Sequence, residues 1–168
     1  MTTPTDENVQ ALAIDGTFDD CQALVKDMFN DADFRHETGL AGVNSINWAR
    51  VMAQTVYYFT ASAQLGGPDK EIAFSVPTGN FGDIFAGYVA KQMGLPIAQL
   101  MIATNINDIL ARVLKIGIYE IGDVVASSSP SMDIQVSSNL ERLLFEATGR
   151  DAVEVCRLMG ELAEKQKF

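Results

Sequence analysis

The stretch Ser75-Val76-Pro77-Thr78-Gly79-Asn80-Phe81-Gly82-Asp83 offers the most chemistry in this chain. An apolar run, residues 71–77, leads into it. Phe81, Ile84, Phe85, Tyr88 and Val89 then recur at helical spacing. The stretch therefore reads as a corner between the carboxyl end of a strand and the start of a helix, which is where ligands bind in open α/β sheets. Gly79 and Gly82 let the backbone turn tightly and come close to a ligand. The helix start adds unpaired N–H groups and a partial positive charge. Such a cup holds an anion without lysine or arginine, and a phosphate dianion suits it. The plain alternative is a strand-to-helix turn with no ligand. Neither G-x-G-x-x-G nor G-x-x-x-x-G-K-[ST] is present, which weakens a dinucleotide reading and excludes a nucleoside-triphosphate loop. Asn80 can donate a side-chain hydrogen bond and is the better ligand candidate. The Asp83 carboxylate would repel a phosphate, so it is expected to face away and cap first-turn amides.

A second cluster, Asn44, Ser45, Asn47 and Arg50, opens a long helix, and another helix start suits a substrate phosphate or carboxylate. The competing reading has Ser45 as a cap and Arg50 paired with a structural acid. Ser129-Pro130-Ser131-Met132-Asp133 is polar and stiffened by proline. It fits a substrate-side loop or a structural turn, and the same two readings cover Asn139 and Arg142. His36, the one histidine, lies in a polar segment and reads as solvated. With no cysteine cluster beside it a transition-metal site is not expected, and no G-x-S-x-G elbow supports serine catalysis. Tyr57-Tyr58-Phe59 reads as packing.

The elements that must position these residues follow from periodicity. Residues 9–15, VQALAID, read as a buried strand. Thr17 with Asp20 is a capping box for an amphipathic helix over 18–30. Residues 31–43 read as loop. Ser45 is expected to cap a helix over 46–64, closed by Gly66-Gly67-Pro68. A buried strand over 71–77, a helix after the glycine corner stopped by Gly94 and Pro96, a strand over 97–103 and a helix near 108–116 follow. That succession predicts a parallel sheet with right-handed crossovers. Residues 118–136 are less regular. Two helices end the chain, one capped by Ser138 with Glu141, the other by Asp151 with Glu154, with Gly149 between them. The fold class is α/β, a three-layer αβα arrangement on a parallel sheet. One partial domain is expected, with an α/β core over 8–135 and C-terminal helices over 136–168.

Composition limits the partners. The 168 residues carry 22 acidic and 12 basic side chains, for a net charge of −10, and 48 % are apolar. That is the balance of a folded domain. It lacks the basic stripe that nucleic acid or an anionic membrane surface requires. No apolar run reaches the roughly 18 residues of a spanning helix, and MTTPTDENVQ does not read as a leader. Cys21 and Cys156 have no metal spacing, so a cytoplasmic protein with reduced thiols is the simplest reading.

Seven ordered segments carry a family resemblance: Gly16 to Gln22, Asn44 to Arg50, Tyr57 to Phe59, Ser75 to Asp83, Met93 to Ile97, Ala103 to Leu110, and Ser129 to Asn139. Along nearly the whole chain they resemble the threonine synthases, pyridoxal-phosphate enzymes of the tryptophan-synthase-β-like superfamily. The resemblance implies that fold in part, and conversion of O-phospho-L-homoserine and water to L-threonine and phosphate. The phosphorylated amino acid is the implied small-molecule substrate, and pyridoxal 5′-phosphate is the implied electron sink. It assigns the cofactor phosphate to Gly79, Asn80, Phe81, Gly82 and Asp83, with Thr78 beside them. The family's Schiff-base lysine lies upstream of the FDDCQ region, in an apolar segment absent here. Lys26, Lys70, Lys91, Lys115, Lys165 and Lys167 sit on amphipathic helices, in a turn or in a charged tail. None has the buried setting that lowers a lysine pKa for imine formation. The expectation is an internal portion holding the phosphate cup without the covalent anchor, inactive alone. A non-catalytic fragment and a related dehydratase are the alternatives.

Overall fold

The computed structural model describes residues 5–168, so the first four residues of the N-terminal segment lie outside it. The chain divides into two compact units between Leu40 and Ala41.

The first unit holds two helices, α1 (Phe18–Asn30) and α2 (Ala32–Thr38). The expected capping box opens α1: the Thr17 hydroxyl accepts from the Asp20 amide, and the Asp20 carboxylate accepts from the Thr17 amide at 2.6 Å. Those bonds hold the Asp20 carboxyl below its usual range. Residues 31–43, expected as loop, contain α2. Asp31 caps it through the Phe34 amide at 2.9 Å, and Gly39 closes it in the left-handed region. Both are ordinary helix-end signals that outweigh the polarity of the segment. His36 lies on α2 and is exposed. Residues 9–15 form no strand and are exposed, Leu12 by 86 %. An apolar run becomes a strand only against a neighbour that takes its N–H and C=O groups, and the described residues of this unit contain no strand.

The second unit begins with α3 (Trp48–Gln64) and continues through β1 (Ile72–Pro77), α4 (Gly82–Gln92), β2 (Ile97–Ala103) and α5 (Ile109–Ile116). β1 and β2 pair in parallel, Phe74 opposite Leu100 and Pro77 opposite Ala103, with α4 as the crossover. The cap of α3 is Asn47, not Ser45: Asn47 Oδ1 accepts from the Ala49 amide at 2.9 Å. β1 is less buried than its apolar run suggests. Among its residues only Val76 is buried, and half-buried and exposed positions alternate before it. α3 and α4 touch closely at Gly87, where a Cβ would stand 2.6 Å from the Tyr58 ring. Around that contact Val51, Tyr58, Ile84, Phe85, Ile97, Ile109, Leu110, Tyr119 and Leu140 form the core.

Residues 118–136 are irregular apart from a short 3-10 turn at Pro130–Met132. Asp133 holds them to the end of β2. Its carboxylate accepts from Asn105 Nδ2 (2.6 Å), Asn107 Nδ2 (3.0 Å) and the Ser127 hydroxyl (2.6 Å) and amide (2.8 Å). These bonds, those of Ser127 first, lower its pKa. The structural-turn reading of Ser129 to Asp133 thus has a physical basis. Helices α6 (Leu140–Ala147) and α7 (Ala152–Lys165) follow. Ser138 does not cap α6, because Asn139 holds the cap position and the Ser138 hydroxyl reaches Asn80 instead. Asp151 caps α7 through the Val153 and Glu154 amides, while the Glu154 carboxylate pairs with Arg157 at 2.6 Å. No helix among the described residues is long and apolar enough to cross a membrane.

Candidate anion-binding corner

β1 ends at Pro77 and α4 begins at Gly82, so Thr78 to Phe81 make the corner. Thr78 continues the ladder: its amide donates to the Ala103 carbonyl at 2.8 Å and its hydroxyl to the Val76 carbonyl at 2.6 Å. It is 3 % exposed. Both of these hydrogens of Thr78 are bonded inside the fold, so Thr78 anchors the corner.

The next two carbonyls are tied back. Gly79 O accepts from the Ser137 hydroxyl at 2.9 Å, and Asn80 O accepts from the Asn139 amide at 3.1 Å and from Asn139 Nδ2 at 3.0 Å. In a planar trans peptide the following N–H points opposite to the carbonyl. The amides of Asn80 and Phe81 therefore face away from residues 137–139. Phe81 then takes a left-handed conformation, φ 62° and ψ 10°, with its ring buried in the core. An aromatic residue adopts that conformation at a cost of about 1 kcal/mol or more. Left- and right-handed residues in succession make neighbouring N–H groups converge, which is how backbone anion nests are built.

No side chain caps α4. Its first-turn amides, Gly82 and Asp83 among them, keep the donors and the partial charge of a helix start. The walls are close. A Cβ on Gly79 would stand 3.2 Å from the Ser131 carbonyl, and one on Gly82 would stand 3.7 Å from Ser45 Cβ. Asn80 is half-buried, and its Oδ1 accepts from the Ser138 hydroxyl at 2.9 Å. That bond orients the side chain through its oxygen. Asp83 does not cap amides either. The Tyr58 hydroxyl donates to the Asp83 carbonyl (2.9 Å) and contacts its Oδ1 (3.2 Å). Burial pushes the Asp83 carboxyl above its usual range, and the Tyr58 bond opposes this. Burial first, then the Asp83 charge, pushes the Tyr58 hydroxyl up.

The second cluster lies beside the first, but its polar groups are turned to local work. Asn44 Oδ1 accepts from the Ile46 amide, Asn47 Nδ2 donates to the Gly42 carbonyl, and Arg50 donates to the Val43 carbonyl at 3.2 Å. Arg50 is exposed and pairs with no acid in these bonds. Ser45 stands against Gly82. Asn139 joins the two clusters, donating from Nδ2 to Ser45 O at 2.9 Å, while Arg142 donates to Asn139 Oδ1 and to Ile46 O, both at 3.0 Å. Arg142 also lies over the Trp48 ring, 5.3 Å from its centroid. Asn139 is 1 % exposed. This joint was not legible beforehand, because it spans 59 residues to Asn80 and 94 to Ser45. Periodicity carries no signal for such pairs. A groove of about 780 Å³ flanks the corner without including it, lined by Trp48, Phe85, Tyr88, Arg142 and Phe145 among others.

A parallel strand–helix–strand unit whose helix start stands uncapped at the strand's carboxyl end is an α/β fold of the ligand-binding kind. No family model matches the chain. It is 57 % identical to threonine synthase of Pseudomonas aeruginosa over 159 residues, which is 95 % of this chain and 34 % of that one. It is also 57 % identical to the threonine synthase of Saccharomyces cerevisiae, covering 86 % of this chain and 29 % of that one. A crystal structure of threonine synthase from Brucella melitensis with bound PLP superposes with a TM-score of 0.84 at 65 % identity, over 96 % of this chain and 35 % of that chain. The yeast threonine synthase structure superposes with a TM-score of 0.81 at 50 % identity. Over nearly all its residues the chain is similar in sequence and in fold to these threonine synthases, and it spans about a third of their length.

Proposed function

We propose that this chain carries the cofactor-phosphate site of a threonine synthase acting in the cytoplasm, where O-phospho-L-homoserine and water become L-threonine and phosphate. One observation carries the reading. The α4 helix start has no side-chain cap, and the carbonyls just before it are tied back by Ser137 and Asn139. Those features fit a phosphate dianion: donors from main-chain amides, a helix dipole of the right sign, and glycines that admit close approach. Pyridoxal phosphate, when bound, supplies an electron sink for carbanions formed on the amino acid.

The residues of this chain bind and orient. Gly79 and Gly82 keep side chains out of the corner, and the amides from Asn80 to Asp83 donate to the phosphate. Phe81 locks the turn by burying its ring. Thr78 fixes the corner to β2. Asn44, Ser45, Asn47 and Arg50 form the substrate side of the reading, with Ser45 nearest the corner. No proton-transfer step belongs to these residues. Lys26, Lys70, Lys91, Lys115, Lys165 and Lys167 are all exposed, so none has the desolvated setting of an imine-forming lysine. The chain alone is therefore inactive, and its partners are small anions rather than nucleic acid or membrane.

The test is thermal unfolding with increasing pyridoxal phosphate. A ligand held by the native state alone stabilises it by about 2.7 kcal/mol at a hundredfold excess over Kd. A concentration-dependent rise in Tm, absent in Gly79→Asp, is the expected result. A Tm that ignores the ligand, or rises equally in both proteins, overturns the reading.

A further inference from the structure

We propose that Asn139 is the positioning residue of the anion corner, and that its carboxamide makes the glycine corner and the Ser45 turn respond to an anion as one unit. The inference rests on the phosphate-site reading above and adds to it the side chain that sets the site's shape. Asn139 touches no reacting atom. It acts through the two backbone segments it grips.

The bonds define the task. Asn139 Nδ2 lies 3.0 Å from Asn80 O and 2.9 Å from Ser45 O, one amide hydrogen for each carbonyl. Its Oδ1 accepts from Arg142 Nε at 3.0 Å, and its main-chain N–H adds a second bond to Asn80 O at 3.1 Å. Arg142 carries the connection one residue further, to Ile46 O. The Asn80 carbonyl is the other end of the peptide whose N–H belongs to Phe81, so the bond that holds one aims the other. The Ser45 carbonyl is likewise held while Ser45 Cβ lies along Gly82. Two segments far apart in sequence, both bordering the corner, thus share one buried amide that is 1 % exposed.

The chemistry of an amide suits this post better than that of its neighbours in size. It offers two donors and an acceptor in one plane, and all are used. A carboxylate would set acceptor oxygens against two carbonyls. An alanine would take the Nδ2 donor from the Ser45 carbonyl and leave the Asn80 carbonyl with the main-chain N–H of residue 139 alone, which loosens the Asn80–Phe81 peptide and uncouples it from the Ser45 turn. In a buried network each bond is strengthened by the low local dielectric, and loss of the shared member loosens every segment it joined.

Nuclear magnetic resonance on the full chain tests this, with inorganic phosphate and pyridoxine 5′-phosphate as probes, because neither carries an aldehyde that could react with lysines. In the native protein the amides of Gly82 and Asp83 and those of Ser45 and Ile46 are expected to shift with one midpoint. In Asn139→Ala the Gly82 and Asp83 shifts should need about tenfold more phosphate, and the Ser45 and Ile46 shifts should vanish, with the rest of the spectrum kept. Asn139→Asp keeps the acceptor for Arg142 and removes both donors, so it should behave as Asn139→Ala does and serves if the alanine variant fails to fold. A merely structural residue would alter stability and leave the coupling of the two sets of shifts intact. Retained joint shifts with a native midpoint in either variant overturn the proposal, as does unfolding of both variants. Absence of any corner shift in the native protein overturns the phosphate-site reading itself, which is a different result.

Discussion

Asp83 sits where two electrostatic demands meet. Its amide belongs to the α4 start, while its carboxyl is half-buried beside Tyr58 and its pKa is raised chiefly by that burial. A raised native pKa means that the folded chain holds the proton more tightly than the unfolded chain. The contribution to stability is then complete below the ordinary carboxylate value of 3.8 and is lost as pH rises through the native pKa. Asp133 is opposed in sign. Its lowered pKa gives stability above the ordinary value that is lost as pH falls through the native one. Asp83→Asn removes the first dependence alone. Across the weakly acid range its Tm should fall less with rising pH than that of the native protein, in paired thermal melts. The same variant keeps the Asp83 N–H and removes a negative charge from the first helical turn. Phosphate affinity should hold or tighten by about two- to fivefold, the size of a helix-end charge effect. A tenfold weakening, read by titration, would mean that the carboxylate itself serves the anion.

The helix starts separate side chains that cap from side chains that merely stand nearby. Asn47 takes the Ala49 amide and ties back to Gly42, whereas Ser45 offers its carbonyl to Asn139. Asn47→Ala should cost about 1 kcal/mol in urea unfolding, the usual value of a lost cap. Ser45→Ala should cost less than half of that, and equal losses would return the cap to Ser45. These cases also show what the sequence makes legible. The Thr17–Asp20 box and the helix stop at Gly94 rest on contacts within a few residues, and the strands around residues 72 and 97 show local apolar runs and find each other as neighbours; all stand where periodicity and capping chemistry place them. The corner itself was legible, because glycine spacing and the following helix are local. The choice among Ser45, Asn47, Ser138 and Asn139 was not. All four are competent caps, and which one caps depends on partners far away in sequence. Residues 9–15 mislead for a related reason: their apolar composition is real, but a strand also needs a neighbour, and composition cannot supply one.

At the scale of the molecule, charge and exposure separate holding a cofactor from using it. With 22 acidic against 12 basic side chains, the proposed phosphate site relies on main-chain dipoles at one corner. The six lysines lie on the surface, and two of them, Lys165 and Lys167, lie 2.9 and 3.3 Å from the carboxylates of Glu161 and Glu120. An exposed lysine lacks the desolvated setting that activates an amine toward an aldehyde. Imine formation with pyridoxal phosphate should therefore be slow and unselective. After borohydride reduction at neutral pH, peptide mass mapping should find sparse label spread over several of the six lysines, with label unchanged by competing inorganic phosphate. A single heavily labelled lysine, protected by phosphate, would place a covalent anchor within this chain and contradict the division between a corner that seats the phosphate and a lysine that lies elsewhere.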